Sequence, residues 1–360
     1  MSNGLPSASP LLYIAGTGMI TAIGPSASMT FAATCAGKSG YQISNYLSKN
    51  NKPITMSLVP ATVFEALDYE LEECNPYNAQ YDHVIKMAIY ALTDACQGYS
   101  IEGPLPLILA MPEPDLGPTV DHGLLIRNLI THCAPAVSSA LTRTFHSGRA
   151  AGMDAIDFAF QYLLNNSLLL VGGSDSYINL KRIKKLDEAN RLKTIESPQS
   201  FAPGEGACFL LLTPNPELAL VRNEHIIALH RPGLANESGH MYSETPYRGE
   251  GLDEAFKKAL IGQPEHSIQA IYSSMNGENF WAKEYGVAYL RNKSKFVDPV
   301  RTEHPADCYG DLGSATTMAL IAMAAENLWK NKQQYKHLVY SSSDTEKRGA
   351  LVIEKIKLSQ

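Results

Sequence analysis

The sequence lacks the marks of export and of membrane insertion. Its first ten residues, MSNGLPSASP, have neither the basic start nor the apolar core of a secretory signal. No run approaches the roughly 18 apolar residues that a membrane span requires. A cytoplasmic chain without a membrane span is therefore expected. An excess of positive charge is also missing: 30 Lys and Arg against 36 Asp and Glu leave a net charge of −6, which argues against a nucleic-acid partner. The six cysteines (Cys35, Cys74, Cys96, Cys133, Cys208 and Cys308) form no C-x-x-C pair and most sit among apolar or small residues, as expected of buried thiols in a reducing compartment. There is no metal-ligand spacing, no phosphate-cradling glycine loop ahead of a lysine, and no flavin or nicotinamide fingerprint, so no metal and no cofactor is expected.

What the chain does have is 45% apolar residues over 360 positions, ample for a large core. The stretch from Arg143 to Ser176 organises the rest. Small residues Gly148, Ala150, Ala151 and Gly152 crowd a turn. Ala155, Ile156, Ala159, Phe160, Leu163 and Leu164 then recur at helical spacing, and Leu168 to Val171 form an apolar run short enough for a strand buried on both faces. A turn feeding a helix N-terminus suits a nucleophile, because helix-end N–H groups stabilise developing negative charge. This turn offers Phe145, His146, Ser147 and Arg149, and no cysteine.

Elsewhere, the sequence predicts a strand from Leu11 breaking into a glycine turn before Gly24, and helices over Met29–Cys35, Val84–Cys96, Leu124–His132 and the basic run after Leu180. Residues 41–76 read as irregular, with weak strand signals around Ile54–Val59. Strands are expected at Leu105–Ala110, Ala207–Leu212, Ile226–Leu229, Ile268–Ser273, His337–Ser342 and Ala350–Glu354, and helices at Leu252–Leu260, Phe280–Leu290 and Gly313–Trp329. Alternation of strands and helices predicts an α/β fold with largely parallel sheets covered on both faces. A break at Pro214-Asn215-Pro216 divides the chain into 1–220 and 221–360, two halves expected to share one core.

Several segments, in order, resemble the β-ketoacyl synthases of the thiolase superfamily: Leu12–Gly24 followed by Ala36-Gly37-Lys38-Ser39-Gly40, then Val171-Gly172-Gly173-Ser174-Asp175, Phe201-Ala202-Pro203-Gly204-Glu205-Gly206-Ala207, Gly251–Ala255, Ile268–Gly277 and Leu312-Gly313-Ser314-Ala315. The resemblance implies a thiolase fold, five-layered α-β-α-β-α with two duplicated halves, and a homodimer or a heterodimer with a synthase-like partner. A dimer contact through the central strand after the organising helix is expected.

Enzymes of that family carry an acyl chain on one cysteine and use two histidines in decarboxylative condensation, since a thiolate is both nucleophile and leaving group and hydrogen-bond donors stabilise the enolate. This sequence departs at all three positions. The register that keeps the helix's apolar face in phase puts Arg149 at the nucleophile position; an ungapped register puts Ser147 there. The first histidine falls on Asn276 or Met275 and the second near Gly310, and the C-terminal G-F-G-G is replaced by Ser343-Asp344-Thr345-Glu346. The vestigial site is thus expected at Arg149, His146, Ser147, Asn276, Glu278, Gly310 and Asp311. A buried Arg149 demands a carboxylate, with Asp175, Glu278 and Asp311 as candidates and Glu278 the favoured one. Ser147 beside His146 offers a nucleophile–base pair for a divergent acyltransferase, and Cys308 lies near a catalytic segment. Lys181, Arg182, Lys184, Lys185, Arg191 and Lys193 form either a dock for an acidic acyl carrier protein or a solvated face. The resulting expectation is a catalytically silent synthase-like accessory subunit or adaptor, with a bacterial effector-secretion system and a secreted effector as one setting.

Overall fold

In the computed structural model the described residues are 10–72, 79–101, 103–114, 122–133 and 137–358. Cys74 lies outside them. The strands are β1 (Leu12–Thr21), β2 (Gln42–Leu47), β3 (Pro53–Met56), β4 (Leu107–Ala110), β5 (Arg143–Phe145), β6 (Leu169–Ser176), β7 (Glu205–Thr213), β8 (His225–Leu229), β9 (Gly233–Asn236), β10 (Ile268–Ser273), β11 (Phe296–Glu303), β12 (Lys336–Ser342) and β13 (Lys347–Lys357). The helices are α1 (Ala27–Cys35), α2 (Ala61–Ala66), α3 (Ala79–Ala95), α4 (His122–His132), α5 (Ala151–Tyr162), α6 (Leu180–Glu188), α7 (Glu250–Ala259), α8 (Asn279–Arg291), α9 (Ala306–Tyr309) and α10 (Thr316–Lys330). None is long and apolar enough to cross a membrane.

Two sets of strands follow the same order. The first runs β5-β4-β6-β7-β1 and the second β11-β10-β12-β13-β8. In each, three neighbouring strands are parallel (β5, β4, β6; β11, β10, β12) and the next two pair antiparallel. The sets meet edge to edge only where Leu12 faces Leu229 and Tyr13 faces Ala228. Helices α3 and α4 cover the outer face of the first set, and α7 and α8 that of the second; α5 and α10 lie between, touching strands of both. This is a five-layered α-β-α-β-α arrangement.

The middle layer explains why α10 is apolar all round. Every residue from Thr316 to Trp329 is buried, as a helix packed between two sheets requires. One apolar cluster joins Leu12, Val171, Ile227, Leu320 and Ile353 across both sets, so the two strand sets share a core. As expected, β1 breaks into a tight turn closed by Gly24, whose backbone exchanges hydrogen bonds with Thr21 at 2.9 and 3.3 Å. Gly16 and Gly18 sit inside β1, where an added Cβ would lie 1.9 Å from the Ala95 and Ala91 carbonyl oxygens of α3. These two glycines serve close helix–sheet approach.

Residues 41–72, the described part of the segment read as irregular, are more ordered than expected, containing the β2–β3 hairpin and α2. The outward side chains of Ile43 and Leu47 are exposed, which removed the alternation that marks a half-buried strand. Tertiary contacts hold the hairpin: Thr55 N–H donates to the Lys193 carbonyl at 2.8 Å and Lys52 pairs with Glu196 at 2.7 Å. The expected dimer contact through β6 is corrected by topology. Both flanks of β6 are filled, by β4 and β7, so it has no hydrogen-bonding edge to offer; the outer strands of the sheet are β5 and β11.

Candidate functional site

The turn into α5 is a single 3-10 turn over Gly148–Ala150. Gly148 has φ +55°, and a Cβ there would press on the Glu113 carboxylate at 2.8 Å, so the position requires glycine. The turn drives Arg149 inward, leaving it 4% exposed. Its Nη1 donates to Asp311 Oδ2 at 2.8 Å, its Nη2 to Asp344 Oδ1 at 2.6 Å and its Nε to the Ser342 carbonyl at 3.1 Å. The Trp281 ring lies 4.5 Å from the guanidinium carbon. Burial works against the charged form, but Asp344 and Asp311 overcome it and hold the guanidinium charged. The same carboxylates offset the unfavourable placement of a cation at a helix N-terminus.

Around this pair a larger ionic cluster closes. Arg191 donates to both Glu278 oxygens, at 2.7 and 2.8 Å, and to Asp344 Oδ2 at 2.5 Å and Tyr242 at 2.5 Å. Asn276 Nδ2 donates to Asp311 Oδ2 at 2.8 Å and to Glu278 Oε2 at 3.1 Å, and Trp281 Nε1 reaches Glu278 Oε2 at 3.0 Å. Desolvation would raise the Asp344 carboxyl, yet Arg191 and Arg149 hold it well below the usual range. Glu113 accepts from the Ser343 hydroxyl and from Asp344 N–H at 2.9 Å. Burial, and then the nearby Asp344 charge, push the Glu113 carboxyl up.

Two expectations about this cluster are corrected. Glu278 does not hold Arg149; it is committed to Arg191, and Asp311 and Asp344 take Arg149. Asp175 pairs with Arg182 at 2.9 Å and accepts from Ser314 N–H at 2.9 Å. The basic run is divided accordingly: Arg182 and Arg191 are buried in ion pairs, while Lys181 and Lys184 are exposed and Lys193 half-buried. Lys181 and Lys184, one turn apart on α6, remain on one exposed face. Glu113 escaped sequence reading, and Arg191 is legible there only as part of the basic run, because no local pattern distinguishes a buried charge from a solvated one. Asp344 left a faint signal, a carboxylate in place of a glycine.

His146 and Ser147 turn away from each other. The Ser147 hydroxyl donates to Asp154 Oδ2 at 2.6 Å, while His146 Nε2 meets Thr144 Oγ1 at 3.0 Å. Burial and the neighbouring His122 lower the His146 pKa, disfavouring its protonated form. Gly310 has φ +77° and ψ −174°, a region essentially closed to residues with a Cβ. A histidine at that residue would strain the backbone as it now runs. Cys208 is fully buried in β7, and burial pushes its thiol up, as it does the Cys308 thiol. Neither is a ready thiolate. Among the described residues no group of three or more His, Cys, Asp or Glu is placed to hold a metal.

No family model and no curated protein sequence matches the chain. Solved structures do match in three dimensions. The ishigamide ketosynthase/chain length factor aligns with a TM-score of 0.73 at 17% identity, covering 96% of this chain and 99% of that one. A ketosynthase (ApeO) in complex with its chain length factor (ApeC) from Xenorhabdus doucetiae gives 0.70 at 15% identity, over 98% and 100%. A type II polyketide acyl carrier protein in complex with its ketosynthase (AntDE:AntF) gives 0.74 at 15% identity, over 96% and 100%. Strand order, the five layers and these likenesses agree: the chain has a ketosynthase-like fold.

Proposed function

We propose that this chain is a catalytically silent ketosynthase-like subunit that acts through association, with halves 1–220 and 221–360 as the duplicated units of the fold. The observation that carries the reading is Arg149. A guanidinium cannot be deprotonated to a nucleophile, and this one is clamped by Asp311 and Asp344 at 2.8 and 2.6 Å. Asn276 serves that ionic cluster through two hydrogen bonds. Losing one member of a coupled catalytic unit can cost on the order of 10⁶ in rate, and none of the three is supplied here. Chain length factors among the structural neighbours favour a subunit paired with an active synthase, with an acyl carrier protein meeting the pair. The divergent acyltransferase at Ser147 is weaker because its hydroxyl is committed to Asp154 rather than to an imidazole base. An adaptor role beside a secretion system would use the same silent subunit with a different partner.

The test gives purified chain an acyl thioester and a malonyl thioester on a carrier protein, alone and with co-expressed condensing enzymes from its own genome. The expected result is no acylation and no condensation by the chain alone, with a stable heterodimer formed with one such enzyme. Acyl-enzyme formation abolished by Ser147→Ala would replace this reading with the acyltransferase.

A further inference from the structure

The far end of α10 carries a second cleft that the proposed function does not use. Its volume is about 730 Å³, within the roughly 300–1,000 Å³ of small-molecule sites. At roughly 1.5 Å rise per residue, the 15 residues of α10 separate it from the Arg149 cluster by about 20 Å. The floor is aromatic: Trp329 closes the buried run of α10, and Tyr335, about half exposed, follows in the loop to β12. The walls are fixed by backbone bonds, Lys355 N–H to the Tyr335 carbonyl at 2.7 Å and Leu358 N–H to the Glu224 carbonyl at 3.0 Å.

The charges in the cleft do not balance. Its two carboxylates are already engaged, Glu326 with Arg222 at 2.7 Å and Glu224 with Lys357 at 3.3 Å. Lys330, Lys332 and Lys355 also line it, and none has a carboxylate partner among the described residues. Lys355 is the informative one. It is 6% exposed, yet its ammonium has a single acceptor, the Asn331 carbonyl at 2.6 Å, and lies 4.8 Å from the centre of the Tyr335 ring. An ammonium has three donors, and a buried charge without a counter-charge is costly. Burial lowers its pKa accordingly.

We propose that this cleft binds an organic anion, a carboxylate or phosphate ester on a flat or apolar body. The head group meets Lys355, with Lys330 and Lys332 adding field at the rim, and the body lies on Tyr335 and beside Trp329, whose ring carries the Arg222 guanidinium at 4.4 Å. An inorganic anion would leave the aromatic floor unused, and a neutral ring would leave Lys355 uncompensated.

The test uses the full chain labelled with ¹⁵N-tryptophan, whose two tryptophans give two indole signals assigned through Trp329→Phe. Titration with 2-naphthyl phosphate is expected to move the Trp329 signal and leave that of Trp281, which lies against Arg149. By calorimetry, 2-naphthol and inorganic phosphate should each bind at least about tenfold more weakly, the loss expected when a charge-assisted hydrogen bond or the apolar contact is removed. Lys355→Met, which keeps the buried stem, should weaken naphthyl phosphate by about tenfold. Should that variant not fold, the exposed pair Lys330→Ala/Lys332→Ala should still weaken it by a few-fold. No movement of the Trp329 signal at millimolar naphthyl phosphate would overturn the proposal. So would equal affinity for 2-naphthol, or undiminished affinity in a folded Lys355→Met.

Discussion

Arg149 cannot shed its proton, and its enclosure leaves its charge to be met entirely inside the protein. Removing it leaves the buried Asp311 carboxylate with only the Asn276 amide and the Gly313 N–H, and leaves Asp344 with Arg191 alone, so Arg149→Ala is expected to lose about 3 kcal/mol by urea denaturation. Arg149→Cys should not bring back condensation in the thioester assay, because Asn276 and Gly310 supply no imidazole. Glu113 carries the opposite expectation. Its folded-state pKa is raised, so the folded chain holds the proton more tightly than the unfolded chain; stability from this group is present at low pH and lost as pH rises through the folded value. Glu113→Gln retains an acceptor for Ser343 and Asp344 N–H while removing the charge that faces Asp344. Melting curves should show it more stable than the parent at pH 8 by about 1 kcal/mol, or about 2 °C, with the gain vanishing near pH 4. Asp344, held low by Arg191 and Arg149, is expected to stabilise the fold at neutral pH and to lose that contribution as the solution is acidified through its depressed pKa.

Among elements, β1 and α3 depend on one another through absent side chains. Gly18 leaves room for the Ala91 carbonyl, and a methyl group there would sit 1.9 Å from it. Gly18→Ala should therefore force α3 away from the sheet and cost at least about 3 kcal/mol, the upper range for overpacking, read as a lowered urea midpoint at unchanged slope. A lowered slope would mean instead that the two sheet layers separate independently. The turn into α5 depends on a glycine in another way: Gly148 supplies the positive φ that turns Arg149 into the protein, and its missing Cβ leaves space for Glu113.

For the whole molecule, the edge strands set what association can do. Short β5, paired only to β4, is the edge of the first set nearest the Arg149 turn, and its three residues are partly exposed. Extending that edge across a two-fold would continue the sheet into a partner and bury more than the roughly 2,000 Å² typical of obligate pairs. On the proposed association, light scattering of the chain with the co-expressed condensing enzyme should give a mass of two chains, and Thr144→Pro, which removes a strand donor, should shift it to one. An unchanged dimer in that variant would move the contact to another surface.

Much of this was legible in order along the chain. The apolar run of α10, the buried strands β6, β7 and β10, and the glycine-rich segments that resemble the synthases each reflect local periodicity or a local need for small residues, which sequence records directly. The absence of a thiol between Phe145 and Arg149 was equally plain. What only the tertiary structure decided was the pairing of charges. Arg149, Arg191, Asp311, Asp344 and Glu278 come from five separate segments, and whether Glu278 holds Arg149 or Arg191 turns on ångström differences between loops that no spacing encodes. The same holds for Lys355, one lysine among many in the sequence, whose lack of a carboxylate follows from where β13 lies against the end of α10. Local order is written in residue periodicity, whereas ion pairing depends on distance and dielectric, and these exist only once the chain has closed on itself.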